Sequence, residues 1–431
     1  MRTTGTWSCR SAFQTNVYLS HLSLTNYRSY EQAELEFKPG PNILIGANGV
    51  GKTNIAEAIN YLAVQHSHRV SNDHPLVRIG ATQALTRGRI HRGEQAISIE
   101  YEINPGKSNR VAINRGAPQP ARQAYGIFKA VLFAPEDIEL VVGQPDIRRR
   151  FMDDLIVQMR PALGDARRDF DRVLRQRNAL LKSGRNSGTW TEEHETTLAV
   201  WNEHLSRAAA RLINGRLHAL RLLAAPTSKA YAELSNGNKP AGFAYQSTVQ
   251  LATGQHAEVP DESQLYQAIL DELENSYRSE RDRGVTLVGP HRDDLVITLG
   301  PALAKGFASH GETWSLALAL RLAAYRVLVE DDPDPRGKPV LILDDVFAEL
   351  DAARRSRLVD MTRDAEQLII TAAVTADIPE GLHATHIPVQ MRDGISSPGE
   401  HLTDLETLKL LEANQFEDAE GSRFLDEGEH D

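Results

Sequence analysis

Gly46-Ala47-Asn48-Gly49-Val50-Gly51-Lys52-Thr53 is a complete Gly-x4-Gly-Lys-Thr loop, and its flanks decide the fold. Before it, Asn42-Ile43-Leu44-Ile45 is a compact apolar strand. After it, Lys52 to Val64 carries Ile55, Ala58, Ile59 and Leu62 at helical spacing. Strand, glycine loop and helix in that order are the context a phosphate-binding loop requires. The glycines let backbone N–H groups curl around phosphates, and the helix N-terminus adds a favourable dipole. Lys52 is placed to reach the β and γ phosphates and Thr53 to ligate magnesium. ATP and Mg2+ are therefore the expected cofactors, with Gly46, Ala47, Asn48, Gly49, Val50, Gly51, Lys52 and Thr53 as the cradle and Lys52 assisting catalysis.

Such a loop needs a metal-holding acid at the end of a neighbouring buried strand. Leu341-Ile342-Leu343-Asp344-Asp345 supplies two carboxylates there. Asp344 is expected to hold magnesium together with Thr53, and Asp345 to polarise an attacking water. Between loop and acids lies Phe307-Ala308-Ser309-His310-Gly311-Glu312, followed by the apolar helix Trp314 to Leu328. Ser309 and Gly311 before a helix start read as an anion site; a plain helix cap by Ser309 is the alternative on local sequence.

Around these motifs, Leu22/Leu24 and Leu35/Phe37 alternate with polar neighbours, and residues 96–115 read as a hairpin. Val131-Leu132-Phe133 adds a strand. From Pro145 to Tyr231 strand signals give way to Ala-, Leu- and Arg-rich helical periodicity, interrupted at Ser183-Gly184-Arg185-Asn186-Ser187-Gly188. Gly242–Leu251 is a further strand candidate and Asp261–Arg283 a helix. Strands are expected again at Val285-Thr286-Leu287-Val288 and Leu295–Leu299, and buried parallel strands at Val340–Leu343 and Leu368–Ile370. The helical segment has no sustained heptads.

The 431 residues carry 48 Lys plus Arg against 58 Asp plus Glu, a net charge of −10 that argues at first against an anionic partner such as DNA. Nearly all of it sits in residues 400–431, where eleven acids face Lys409 and Arg423. Residues 146–185 go the other way, with eleven basic residues against six Asp. Arg168, Arg172 and Arg175 fall at i, i+4 and i+7 of a helix, and Leu163, Phe170, Leu174 and Leu181 are available for its core face. With Arg148 and Arg149 they form a candidate DNA-binding stripe that Arg207, Arg211 and Arg221 extend; a solvated, salt-bridged face is the plain alternative. Base-specific reading is not expected, because no helix-turn-helix or finger is evident. Cys9 cannot form an internal disulfide, and no apolar run reaches membrane-spanning length, so a cytoplasmic protein without a membrane partner is expected.

Two blocks carry a family resemblance. Pro135-Glu136-Asp137-Ile138-Glu139-Leu140 through Asp146-Ile147-Arg148-Arg149-Arg150-Phe151-Met152-Asp153, and Gly289-Pro290-His291-Arg292-Asp293-Asp294-Leu295, closely resemble the two signature stretches of the RecF family. Gln144 is a mismatch within the first. Leu22-Ser23-Leu24-Thr25-Asn26-Tyr27-Arg28-Ser29-Tyr30 resembles the opening of RecF and its SMC and Rad50 relatives, and Phe347-Ala348-Glu349-Leu350-Asp351 the D-loop of ABC-type ATPases.

The resemblance implies an α/β fold: an ABC-type ATPase head, a mixed β-sheet with the P-loop, carrying an inserted α-helical subdomain. The expected division is 1–16 a non-native or disordered extension, 17–140 head, 141–284 helical subdomain, 285–395 head, and 396–431 an acidic disordered tail. RecF chains usually begin just before the first strand, so Val17, read from a GTG codon, is an expected start.

The resemblance further implies a weakly hydrolysing, ATP-dependent DNA-binding factor of recombinational repair. ATP drives a homodimer in which, as in ABC-type ATPases, Ser309 and Gly311 of one subunit touch the nucleotide of the other, with Glu312 standing where ABC-type ATPases usually have Gln. The dimer acts on double-stranded DNA near single-strand/double-strand junctions and works with RecR and RecO to load RecA. The competing readings are an SMC- or Rad50-like chromosome-structural head, opposed by the missing heptads, and a transporter ATPase subunit. The latter is opposed by Ile370-Thr371-Ala372-Ala373 where a histidine switch would follow the last strand.

Overall fold

The computed structural model describes residues 17–235, 239–251, 258–332, 337–378 and 382–401. The proposed extension 1–16, with Cys9, and all but the first residues of the acidic tail lie outside the described residues. The described residues form two compact units, divided within the bounds Met1–Pro135 with Asp332–Asp431, and Glu136–Asp331.

In the first unit, β1 (Val17–Tyr27), β2 (Tyr30–Glu36), β3 (Gly40–Ile45), α1 (Lys52–Val64), β4 (Ala84–Arg92), β5 (Gln95–Ile103), β6 (Arg110–Ile113), β7 (Gln119–Pro120) and β8 (Ala130–Phe133) follow in order. The second unit contains α2 (Pro145–Met159), α3 (Ala162–Ser187), α4 (Glu192–Ser235), β9 (Ala241–Gln246), α5 (Glu262–Arg283), β10 (Asp294–Leu299), β11 (Ala302–Leu303) and α6 (His310–Glu330). The first unit is completed by β12 (Val340–Leu343), α7 (Ala352–Thr362), β13 (Gln367–Ala372), β14 (Thr385–Arg392) and β15 (Ile395–Pro398).

Two sheets build the first unit. One is antiparallel with order β2-β1-β4-β5-β6-β7, and the other has order β15-β14-β3-β13-β12-β8, its β14, β3, β13, β12 and β8 running parallel. Helix α1 is buried along almost its whole length, and Ile55, Ile59 and Leu62 share one core with Leu19, Leu22 and Leu24 of the first sheet and Leu44, Ile342 and Ile369 of the second. Each such side chain stabilises the fold by about 1.5–3 kcal/mol through burial. The apolar runs of β3, β12 and β13 are continuous because both faces of this sheet are covered.

The second unit is mainly helical with a small sheet of order β11-β10-β9. It differs from the expected division at its C-terminal end. β10 pairs antiparallel with β9 and not with the parallel sheet, so residues 285–331 stay in this unit and the return to the first comes at Asp332 rather than 285.

Val285–Val288 is not a strand. Its N–H groups are taken from outside any ladder: Val285 by the Glu280 carbonyl (3.2 Å), Thr286 by Asn178 Oδ1 (2.7 Å) and Leu287 by Glu280 Oε1 (2.7 Å). The break expected over Ser183–Gly188 comes only at its last residue, and the next helix begins at Glu192. Helix α3 runs through Ser187 and stops at Gly188 in the left-handed conformation, while a Cβ at Gly184 would come within 2.3 Å of the Trp190 indole. The longest helix of the unit, α4, has 44 residues, far short of a coiled-coil arm. Among the described residues no helix is long and apolar enough to cross a membrane.

Candidate nucleotide site and basic helix face

β3 delivers the chain into the glycine loop and α1 takes it away. Gly46 has φ 157° and lies so close to β14 that a Cβ would stand 2.2 Å from the Val389 carbonyl oxygen. Gly51, the N-cap of α1, has φ 108°, and a Cβ there would stand 2.6 Å from Ser396 Oγ and 2.9 Å from the Tyr30 hydroxyl. These contacts make both positions glycine-only and hold the loop open at the helix N-terminus.

Lys52 is buried, with Nζ donating to the carbonyls of Gly46 (2.6 Å) and Ala47 (2.8 Å). Burial lowers its ammonium pKa, opposed by the negative charges of Asp345, Asp344 and Asp377.

The expected metal ligands do meet. Thr53 Oγ1 donates to Asp344 Oδ1 at 3.1 Å, joining residues 291 apart in sequence. Asp344 is buried, and its N–H donates to the Phe133 carbonyl at 2.9 Å, which anchors the end of β12 to β8. A hydroxyl and a carboxylate beside a phosphate cradle fit magnesium, which prefers one or two protein oxygens with the rest supplied by phosphate and water. Among the described residues no cluster of three or more His, Cys, Asp or Glu offers a competing metal cage.

The next residue, Asp345, turns into the left-handed region (φ 53°). Burial raises its carboxyl pKa; Lys52 opposes this, while Asp377 and Glu349 add to it. A carboxyl so raised is a better proton acceptor than an ordinary aspartate.

Sequence reading missed three groups around this centre. Thr371, on β13, is buried and donates to Asp344 Oδ1 at 2.7 Å while accepting the Asp345 N–H at 2.8 Å. Arg28 grips fully buried Glu57 of α1 through Nε (2.7 Å) and Nη2 (2.6 Å), and Ser67 Oγ also donates to Glu57. Burial pushes the Glu57 carboxyl up, but these hydrogen bonds and the Arg28 charge outweigh it and the net shift is downward. Around Gly51, Ser396 Oγ donates to Ser29 Oγ (2.7 Å), which also accepts from Asn54 Nδ2 (2.9 Å). Arg28 and Ser29 lie in a stretch already singled out for resemblance, the one signal that could have found them.

In the second unit, Ser309 is the N-cap of α6. Its hydroxyl accepts the Glu312 N–H (3.3 Å), and Glu312 Oε2 accepts the Ser309 N–H (2.8 Å), a reciprocal capping box with Gly311 in the first turn. Glu312 also accepts from Lys239 Nζ at 2.8 Å. That bond and the Ser309 bonds hold its carboxyl down at about 2. Glutamate is therefore a working cap here.

The proposed arginine stripe divides. Arg168, Arg172 and Arg175 are exposed on α3; Arg168 pairs with Asp165 (3.4 Å) and Arg172 with Asp169 (3.1 Å), both exposed i,i+3 pairs of little energetic weight. Leu163, Phe170 and Leu181 are buried as expected, whereas Leu174 is only half-buried and Val173 takes its place.

Arg148 does not belong to the stripe: it is buried, its guanidinium bonded twice to Asp294 and once to the Gly143 carbonyl (3.1 Å). Arg149 is half-buried and donates to the Asp293 carbonyl at 2.8 Å. Arg177, counted among the basic residues of the region, is fully buried between Glu280 (2.6 Å), Thr286 and Asn202 (2.8 Å each). Arg216 grips Asp153 (2.7 and 3.0 Å) and the Pro290 carbonyl (2.7 Å). The two resembling blocks thus meet each other as one buried polar joint. His291 packs on Phe170, with Nε2 3.2 Å from the Thr286 carbonyl.

Comparison with known proteins agrees with this architecture. A profile of the RecF/RecN/SMC N terminal domain matches residues 18–396. The DNA replication and repair protein RecF of Pseudarthrobacter chlorophenolicus is 48% identical over 404 residues, covering 89% of this chain and all of that protein. RecF of Paenarthrobacter aurescens is 49% identical over 401 residues with the same coverage. A solved structure of the recombination mediator protein RecF with ATPrS, in the RecFOR pathway, superposes with a TM-score of 0.78 at 27% identity, over 90% of this chain and all of that one. An Smc head domain derived from Pyrococcus furiosus shares the fold at a TM-score of 0.51 and 19% identity, over 93% of this chain and all of that one. The fold is the RecF/SMC-like ABC ATPase head with a helical insertion, and the chain belongs to the RecF family.

Proposed function

We propose that this chain is an ATP-dependent DNA-binding factor of replication and recombinational repair, acting as a timed clamp. The observation that carries the reading is the meeting of the glycine cradle, Lys52, Thr53 and the Asp344–Asp345 pair at the C-terminal ends of the central parallel strands. The solved RecF-ATP structure, at a TM-score of 0.78 and 26% identity, supports ATP as the ligand.

In this reading Lys52 leaves the Gly46 and Ala47 carbonyls to meet the β and γ phosphates, and the α1 N-terminus binds their negative charge. Thr53 and Asp344 hold magnesium, which neutralises charge on the phosphates when bound. Asp345 orients and deprotonates the attacking water, giving slow hydrolysis. Ser309 and Gly311 of a second copy complete the site, so dimerisation follows nucleotide binding. Arg168, Arg172 and Arg175 bind the backbone of double-stranded DNA near single-strand gaps, and RecR with RecO, in the cytoplasm, couples the clamp to RecA loading.

Sedimentation of the protein with and without ATP and gapped duplex tests the reading. A dimer that requires ATP and carries DNA is expected, and Asp345→Asn should accumulate it. A monomer under all conditions, or undiminished ATP turnover by Asp345→Asn, overturns the clamp or the base assignment respectively.

A further inference from the structure

β13 lies between β3, which feeds the glycine loop, and β12, which ends in the two aspartates. Its register sets Ile370 beside Leu343 and Thr371 beside Leu44, so the Thr371 hydroxyl falls level with Asp344, where the strand ends emerge. That one buried hydroxyl has one proton, and it is given to Asp344 Oδ1 at 2.7 Å. Its oxygen accepts the Asp345 N–H at 2.8 Å. The polarity of the chain Asp345 N–H to Thr371 O–H to Asp344 carboxylate is therefore fixed, and each bond polarises the next. Thr53 Oγ1 donates to the same Oδ1 at 3.1 Å, so the carboxylate is bound by two hydroxyls from different elements. Asp345 meanwhile occupies a left-handed conformation (φ 53°) that a non-glycine residue adopts at a cost, and its N–H bond to Thr371 holds it there.

We infer that Thr371 is a positioning residue of the nucleotide site: it orients the Asp344 carboxylate for magnesium and in the same stroke sets the backbone from which Asp345 projects. The inference rests on the nucleotide-site reading above and adds a residue to it. Groups that orient a metal-holding carboxylate without touching the metal carry much of its affinity, and their loss typically costs about 10–100-fold. Thr371 is such a group, and one hydroxyl serves both acids.

The test uses the full chain and a fluorescent ATP analogue, titrated with magnesium and, separately, in excess EDTA. Thr371→Val keeps the shape and removes the hydroxyl; its magnesium midpoint should rise about tenfold or more, while analogue affinity in EDTA stays at the wild-type value. Thr371→Ser restores the hydroxyl and should restore the midpoint. Thr371→Ala, checked by thermal unfolding, serves should the valine variant fail to fold. A wild-type midpoint in the folded Val or Ala variant overturns the inference, as does equal loss of affinity with and without magnesium. Absence of analogue binding by the wild-type chain overturns the nucleotide-site reading instead.

Discussion

Arg148 closes a two-point ion pair on Asp294 across 146 residues of sequence, Nε to Oδ1 and Nη2 to Oδ2, both at 2.8 Å. The pair ties α2 to the start of β10, and thereby the first resembling block to the second. Removing either partner leaves a largely buried charge uncompensated, a loss of roughly 3 kcal/mol. Arg148→Ala and Asp294→Ala should each lower the urea midpoint strongly, and the double variant should lose less than the sum of the two. Additive losses would mean that the two side chains are not coupled.

Exposure separates Arg168, Arg172 and Arg175 from this joint. Replacing all three by Gln should leave stability within about 0.5 kcal/mol per site. The slope of log affinity for duplex DNA against log salt should fall by up to about 3. Fluorescence anisotropy across a salt series measures it, and an unchanged slope removes the α3 face from the interface.

At the glycine loop, Lys52→Ala takes away an ammonium bonded to the Gly46 and Ala47 carbonyls. In the proposed reading the same ammonium moves to the phosphates, a charge-assisted hydrogen bond worth about 1.5–3 kcal/mol, so nucleotide affinity should fall roughly 10–100-fold, a larger effect than that on the unfolding midpoint. Gly46→Ala should lose both, since its Cβ would collide with the Val389 carbonyl at 2.2 Å. Isothermal titration with ATP and a thermal scan separate the two outcomes.

Burial drives the His291 imidazole down to about 4; Arg292, Arg149 and Arg177 add to this against the Thr286 carbonyl. A histidine depressed in the folded state binds fewer protons there than in the unfolded chain, so stability rises with pH through this window. It is fully present above about 6.5, the unfolded value, and is lost as pH falls toward 4. Urea midpoints between pH 4 and 7 should slope less steeply in His291→Gln than in the wild type. Equal slopes would assign the acid sensitivity to other groups.

Much of the candidate nucleotide site was legible because it is local. Gly46 to Thr53 is contiguous, α1 runs over the very residues its spacing predicts, and an apolar strand ending in Asp344-Asp345 carries its own signal. Thr371 was not legible, since a threonine ending a buried strand gains a role only when parallel register sets it beside Asp344. The strand expected at Val285–Val288 failed for a related reason: the side chain of Asn178, 108 residues away, and nearby Glu280 took its N–H groups from any ladder.

The arginines mark the limit most plainly. The sequence by itself determined that a basic helical region exists and that −10 is an average dominated by the C-terminal residues. Only the tertiary structure decided which guanidinium groups face water. Arg148, Arg177 and Arg216 are held by acids 146, 103 and 63 residues away, whereas among the described residues Arg168 and Arg172 meet only acids on their own helix. A buried cation is tolerable only with a partner, and a partner that distant is supplied by the fold and by no local pattern.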